Sequence, residues 1–169
     1  GEYKISSINS FLVAANRFLK CMGWYEDIVT TYPIQEEIFR SDEKILTEED
    51  YRILIETAEK ERKRKLSMMI QTLGNTGLRI SELKFITVEA VVQGEAVIYN
   101  KGKIRNVLLS DEIRKALREY IKEENIVSGV IFLSKRGNPV DRSNVSKQLK
   151  ALAKKAEIDK KKVFPHNFR

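Results

Sequence analysis

Thr76-Gly77-Leu78-Arg79-Ile80-Ser81-Glu82-Leu83 is the stretch on which the reading of this chain turns. Just before it, Leu66, Met69, Ile70 and Leu73 recur at three- and four-residue steps, the period of an amphipathic helix. Gly74, Asn75 and Gly77 are expected to break that helix, and a short helix over Ile80 to Leu83 follows. Arg79 therefore stands at the mouth of a helix. A helix start offers free backbone N–H groups and an arginine adds a planar fork of donors, a combination that suits a phosphate. The competing reading is an ordinary i, i+3 pair between Arg79 and Glu82.

Working upstream, Thr47-Glu48-Glu49-Asp50 has the form of a capping box with Asp at the position usually held by Glu or Gln. The helix behind it carries Tyr51, Leu54, Ile55 and Ala58, and Glu61-Arg62-Lys63-Arg64-Lys65 reads as a solvated junction to the next. Nearer the start, Ile8, Phe11, Leu12, Ala15, Phe18, Leu19 and Met22 form one helical stripe, with Ser6 or Ser7 as its cap and Gly23 as its stop. One helix cannot bury its own stripe, so this face needs a partner. Residues 24–46 lack a clean period, contain Pro33, and read as an extended linker. The expected division is a unit over 1–40, helix plus linker, and a larger one over 41–169.

Downstream the character changes. Val91-Val92, Val97-Ile98-Tyr99 and Val107-Leu108-Leu109 are β-prone, with turns at Gln93-Gly94 and Lys101-Gly102, which predicts a three-stranded antiparallel meander. Asp111 opens a helix bearing Ile113, Leu117, Tyr120 and Ile121. Val130 to Leu133 is a short apolar segment before a Gly137-Asn138-Pro139 turn. Ser143 is expected to cap a helix carrying Val145, Leu149, Leu152, Ala153 and Ala156, and Pro165 suits the first turn of a final helix. Arg169 falls about one turn into that helix, too short to be stable alone, so the expectation is a chain that stops short of its continuation. The fold expected is α+β, mostly helical, with a small antiparallel three-stranded sheet.

Composition bounds the chemistry. The 169 residues include 31 Lys and Arg against 24 Asp and Glu, a net charge of +7, which suits a polyanionic partner. The longest apolar run, Phe11 to Ala15, is far too short to cross a membrane or form a signal peptide. One cysteine, Cys21, excludes an internal disulfide framework, and one histidine, His166, excludes a multi-histidine metal site. The expectation is a soluble, cytoplasmic protein needing neither metal nor cofactor.

Two further motifs carry candidate chemistry. Asn100-Lys101-Gly102-Lys103-Ile104-Arg105 is a basic hairpin tip, where a lysine can enter a groove and neutralise or protonate a phosphate oxygen; a solvated turn is the plainer alternative. Pro165-His166-Asn167-Phe168-Arg169 places His166 and Arg169 three residues apart, on one side of a helix. Together the motifs supply two arginines for the non-bridging oxygens of a phosphodiester, a lysine to protonate a departing sugar oxygen, and a histidine. That histidine has two readings: accepting the nucleophile's proton, or stabilising the phosphorane through a hydrogen bond.

These three motifs, in this order and spacing, resemble the tyrosine recombinases, also called phage integrases. Arg79 and Lys101 are 22 residues apart, Lys101 and His166 are 65, and His166 and Arg169 are 3. The resemblance covers about residues 41–169, while 1–40 are similar to the last helix of the family's N-terminal core-binding domain plus the interdomain linker. It implies that Arg79 and Arg169 are the two catalytic arginines, that His166 is the histidine of the His-x-x-Arg box, and that Glu82 supports the site without doing chemistry. Lys101 best matches the hairpin lysine that acts as general acid. Lys103 is the alternative, because the hairpin lacks the family's spacer between glycine and the second lysine.

The resemblance also implies site-specific integration or recombination of double-stranded DNA through a 3′-phosphotyrosyl intermediate, by a homotetramer on paired sites. The family's nucleophilic tyrosine follows the His-x-x-Arg box, and Tyr3, Tyr25, Tyr32, Tyr51, Tyr99 and Tyr120 all precede it. The chain is thus expected to be a truncated form, inactive alone. Tyr99, two residues from Lys101, is read as a packing residue. The alternative function is a non-enzymatic DNA-binding protein on the same scaffold.

Overall fold

The computed structural model describes residues 3–34, 45–100 and 102–168, with the side chains of Pro165 and His166 left out. The chain divides into two compact units, Gly1–Arg40 and Ser41–Arg169.

In the smaller unit, helix α1 (Ile5–Met22) ends where the sequence indicates, at Gly23 in the left-handed region (φ 78°), but starts earlier than Ser6 or Ser7, with Lys4 as an N-cap that offers no side-chain bond. A single 3-10 turn, Tyr25–Asp27, leads into extended chain. The described part of the expected linker is not free. Asn16 exchanges two hydrogen bonds with the backbone of Val29 (2.6 and 3.0 Å), and Asn9 does the same with Tyr32 (both 2.8 Å). The spacing explains the match. Seven helical residues rise about 10.5 Å, and three extended residues span about 10 Å, so two asparagines two turns apart meet backbone groups three residues apart. The rest of the linker, 35–44, lies outside the described residues. No side chain of α1 is buried among the described residues, and Phe11 and Phe18 stay more than half exposed.

The larger unit is built around one helix. Helix α2 (Glu48–Lys60) begins with the expected capping box: the Asp50 backbone N–H donates to Thr47 Oγ1, and the Thr47 N–H to Asp50 Oδ2 (both 3.1 Å). After a tight junction with Arg62 at φ 55°, helix α3 (Arg64–Thr76) runs back and packs on α2, on helix α5 (Asp111–Glu123) and on helix α6 (Arg142–Lys155). Leu66, Ser67, Met68, Met69, Ile70, Thr72 and Leu73 are all buried, so the middle of α3 is covered nearly all round, as befits a central helix. Its buried Thr72 satisfies its hydroxyl by donating to the Met68 carbonyl (2.7 Å). Leu54, Leu117, Tyr120, Phe132, Leu149 and Leu152 close the core around it.

Three further expectations need correction. Gly74 and Asn75 do not break α3, which continues to Thr76; only Gly77, at φ 62°, ends it. Val91-Val92 is not a strand. Thr87 caps helix α4 (Val88–Gln93) by accepting the Ala90 N–H (3.1 Å), and Gly94 at φ 87° stops it, so capping and the burial of Ala90 and Val91 override β-propensity. The sheet among the described residues is therefore two-stranded and antiparallel, β1 (Glu95–Asn100) and β2 (Lys103–Leu108), in register Asn100↔Lys103 and Ile98↔Arg105. Finally, α6 starts at Arg142 with Asp141 as its cap, its carboxylate accepting the Asn144 N–H (3.0 Å), not at Ser143. The fold is mostly helical α+β, and no described helix is long and apolar enough to cross a membrane.

Candidate functional site: a buried carboxylate joining two motifs

Gly77 turns the chain out of α3, and Arg79 follows in extended conformation as the cap of the 3-10 turn Ile80–Phe85. Within that turn Glu82 is 1% exposed. An isolated buried carboxylate would neutralise, so this one needs several partners. It has four bonds, arranged in pairs. Oε2 accepts the Arg79 backbone N–H (2.9 Å) and Arg105 Nη2 (2.8 Å); Oε1 accepts Arg79 Nη1 (3.1 Å) and Asn100 Nδ2 (3.0 Å). Each oxygen thus takes one bond from the arginine turn and one from the β1–β2 hairpin. Burial alone pushes the Glu82 pKa up. The Arg79 N–H, the Asn100 amide, the Arg79 guanidinium and the Arg105 charge outweigh it and hold the value at about 2. Glu82 is ionised at neutral pH.

The local Arg79–Glu82 pair exists, but it does not consume the arginine, whose side chain remains 54% exposed. The phosphate-binding and ion-pair readings are therefore compatible: one edge of the guanidinium is anchored and the remainder faces outward. Lys103 opens β2 and is exposed, on the same strand face as Arg105. Lys101 and Arg169 lie outside the described residues. The backbone of His166 belongs to the 3-10 turn Pro165–Phe168, and its side chain is outside the description.

That last turn packs against α3 and against Tyr51 of α2. Phe168 is buried and its ring centroid is 6.4 Å from that of Tyr51. Asn167 and Phe168 line a cleft of about 290 Å³ with Gly74 and Asn75 of the last turn of α3. Lys162, just upstream, donates from Nζ to Asp50 Oδ2 (3.1 Å), and Asn167 Nδ2 donates to the Lys162 carbonyl (2.8 Å). The C-terminal end of α3 is thus the common anchor. It hands off to Arg79 through Gly77, and the segment bearing His166 packs on its final turn.

A model of the phage integrase family matches residues 44–169. The chain belongs to that family. Among curated phage integrase relatives, the tyrosine recombinase XerD of Staphylococcus saprophyticus is 34% identical over 110 residues, which is 60% of this chain and 37% of that protein. The chain therefore matches little more than a third of the length of that relative. Among solved structures, the XerA recombinase superposes with a TM-score of 0.63 at 24% identity, covering 98% of this chain and 59% of the other. The Tn1549 transposon integrase, in complex with circular intermediate DNA, superposes with a TM-score of 0.71 at 18% identity, covering 98% and 64%. These likenesses establish the integrase fold of the described chain.

Asn100 and Arg105 were visible in the sequence only as parts of a basic hairpin. The signal that points to them is the acid itself: one buried glutamate cannot be satisfied by a single i, i+3 arginine. Tyr99, read as a packing residue, sits with its ring 6.1 Å from that of Phe85, on the exposed side of the sheet.

Proposed function

We propose that this chain binds and activates a phosphodiester of double-stranded DNA for site-specific strand exchange. The observation that carries the reading is the buried Glu82 carboxylate, which ties the Arg79 turn to the hairpin of the second motif. In this reading Arg79 and Arg169 hold the two non-bridging oxygens and stabilise the charge that in-line attack builds there. A tyrosine hydroxyl attacks phosphorus, a 3′-phosphotyrosyl bond forms, and the bond to the 5′ oxygen breaks as that oxygen takes a proton from Lys101. His166 either accepts the tyrosine's proton or donates a hydrogen bond to the phosphorane. The reverse attack by a 5′ hydroxyl rejoins a strand, so the bond energy is conserved and no ATP is consumed. Four copies act on two paired sites, and residues 1–40 belong to the unit that grips the core of the site.

None of the six tyrosines is assigned as the nucleophile. The 169 residues alone are accordingly expected to bind DNA without becoming linked to it. The experiment uses the intact protein and a duplex recovered by selection from a random-sequence pool. Expected is a denaturant-resistant, protease-sensitive protein–DNA adduct that Arg79→Ala abolishes. Tight, sequence-selective binding with no adduct would favour the non-enzymatic scaffold.

A further inference from the structure

The described residues beside the hairpin tip are mostly exposed. Every residue of β2 except Val107 is exposed, and Tyr99 and Ile104, a cross-strand pair beside the tip, are 59% and 66% exposed. Apolar contact on this face is limited to Tyr99, whose ring lies 6.1 Å from that of Phe85. The opposite face is different. Ile98 is fully buried there, and its register partner Arg105 points the same way, toward Glu82. Asn100 immediately precedes Lys101 and Arg105 follows it by four residues, so the two bonds to Glu82 bracket the lysine turn from both strands. One tie would leave a hinge; two, made to different oxygens of a rigid carboxylate, fix both distance and tilt. The same two oxygens hold Arg79, once through its backbone and once through its guanidinium.

We propose that Asn100 and Arg105 are positioning residues which, acting through Glu82, set the reach of the hairpin lysine relative to Arg79 so that both engage one phosphodiester. This rests on the function proposed above. A misplacement of about 1 Å in such an arrangement is enough to cost about 100-fold in rate. The part of the reaction that suffers is the lysine's proton delivery to the departing 5′ oxygen, because Arg79 keeps its own backbone and side-chain bonds to Glu82 when the hairpin ties are cut.

The test compares two versions of the selected duplex, one with the natural 5′ bridging oxygen at the cleaved linkage and one with sulfur there. A thiolate departs without needing a proton. With the intact protein, Arg105→Gln and, independently, Asn100→Ala are expected to slow adduct formation on the oxygen duplex by about 10- to 100-fold. On the sulfur duplex both should recover to within a few-fold of the unmodified protein. Arg79→Ala serves as the comparison and should stay defective on both, since it acts on the non-bridging oxygens. Asn100→Ala removes one neutral amide and provides the answer if Arg105→Gln does not fold. Equal slowing on the two duplexes, or no slowing on either, overturns the positioning role while leaving the recombinase reading intact. Failure of the unmodified protein to form any adduct removes both.

Discussion

The ring of Tyr51 occupies the space in which a side chain on Gly74 would begin: a Cβ built there lies 2.8 Å from Tyr51 Cε2 and Oη. The glycine lies inside α3, not at a break, and the side chain of Tyr51 from the first turn of α2 fills the room it leaves. Gly74→Ala gains about 1 kcal/mol of helix propensity but meets an overpacking cost of about 1–3 kcal/mol. The expected result is a net loss of about 1 kcal/mol in urea denaturation. In a Tyr51→Ala background the sign should reverse. Stabilisation by Gly74→Ala in the presence of Tyr51 would contradict the contact.

Glu82 gives the protein an acid-sensitive tie. Its pKa in the fold, about 2, lies below its ordinary 4.5. The stability it contributes is therefore fully present above about pH 4.5 and disappears as the pH falls toward 2, and its full size is about 3 kcal/mol. Glu82→Gln should be less stable at neutral pH and should flatten the stability curve between those limits. An unchanged acid slope in Glu82→Gln would mean that another carboxylate is responsible.

Lys162 and Asp50 are both less than a quarter exposed, and their bond joins the start of α2 to the segment that leads to His166. Burial pushes the Asp50 carboxyl up, but the Thr47 N–H and hydroxyl together with Lys162 bring it below its ordinary value. Lys162→Met keeps the apolar stem and removes the charge. It should raise the Asp50 pKa and cost about 1 kcal/mol at neutral pH, a difference that closes as acid protonates Asp50. A double-mutant cycle with Asp50→Asn measures the coupling, and zero coupling would show that the two ends are held by other contacts.

The two hairpin lysines can be separated by activity. In the intact protein Lys101→Ala should lower adduct formation by about 100-fold or more, while Lys103→Ala changes it only a few-fold. The opposite ranking would transfer the general-acid role to Lys103, which shares the strand face of Arg105.

Affinity for DNA should be dominated by phosphate contacts. Anisotropy titrations of the 169-residue chain with a 30-bp duplex should show at least a roughly tenfold loss between 50 and 200 mM salt. A flat response would deny phosphate contacts the leading role in binding.

Much of this protein was legible residue by residue. The Thr47 capping box, the Gly23 and Gly77 stops and the apolar periods of α2, α3 and α5 are short-range features, satisfied within a turn or two of chain. The misreadings arose where a local preference met a distant neighbour. Gly74 looked like a breaker because nothing near it in sequence announces Tyr51. The β-branched side chains of Val91-Val92 favour a strand by local preference, and the Thr87 cap, the Gly94 stop and burial decide for a helix.

The order Arg79, hairpin lysine, His166 and Arg169 is written in the linear chain, and it is sufficient to indicate the family. What the linear chain does not contain is the partner list of a buried charge. Glu82 draws Asn100 from 18 residues away and Arg105 from 23, because ionised oxygens withdrawn from water must replace every lost hydrogen bond with whatever donors the fold brings within about 3 Å. The sequence determined which groups were available; only the tertiary structure, by burying that carboxylate between a turn and a hairpin, decided which of them would be held together.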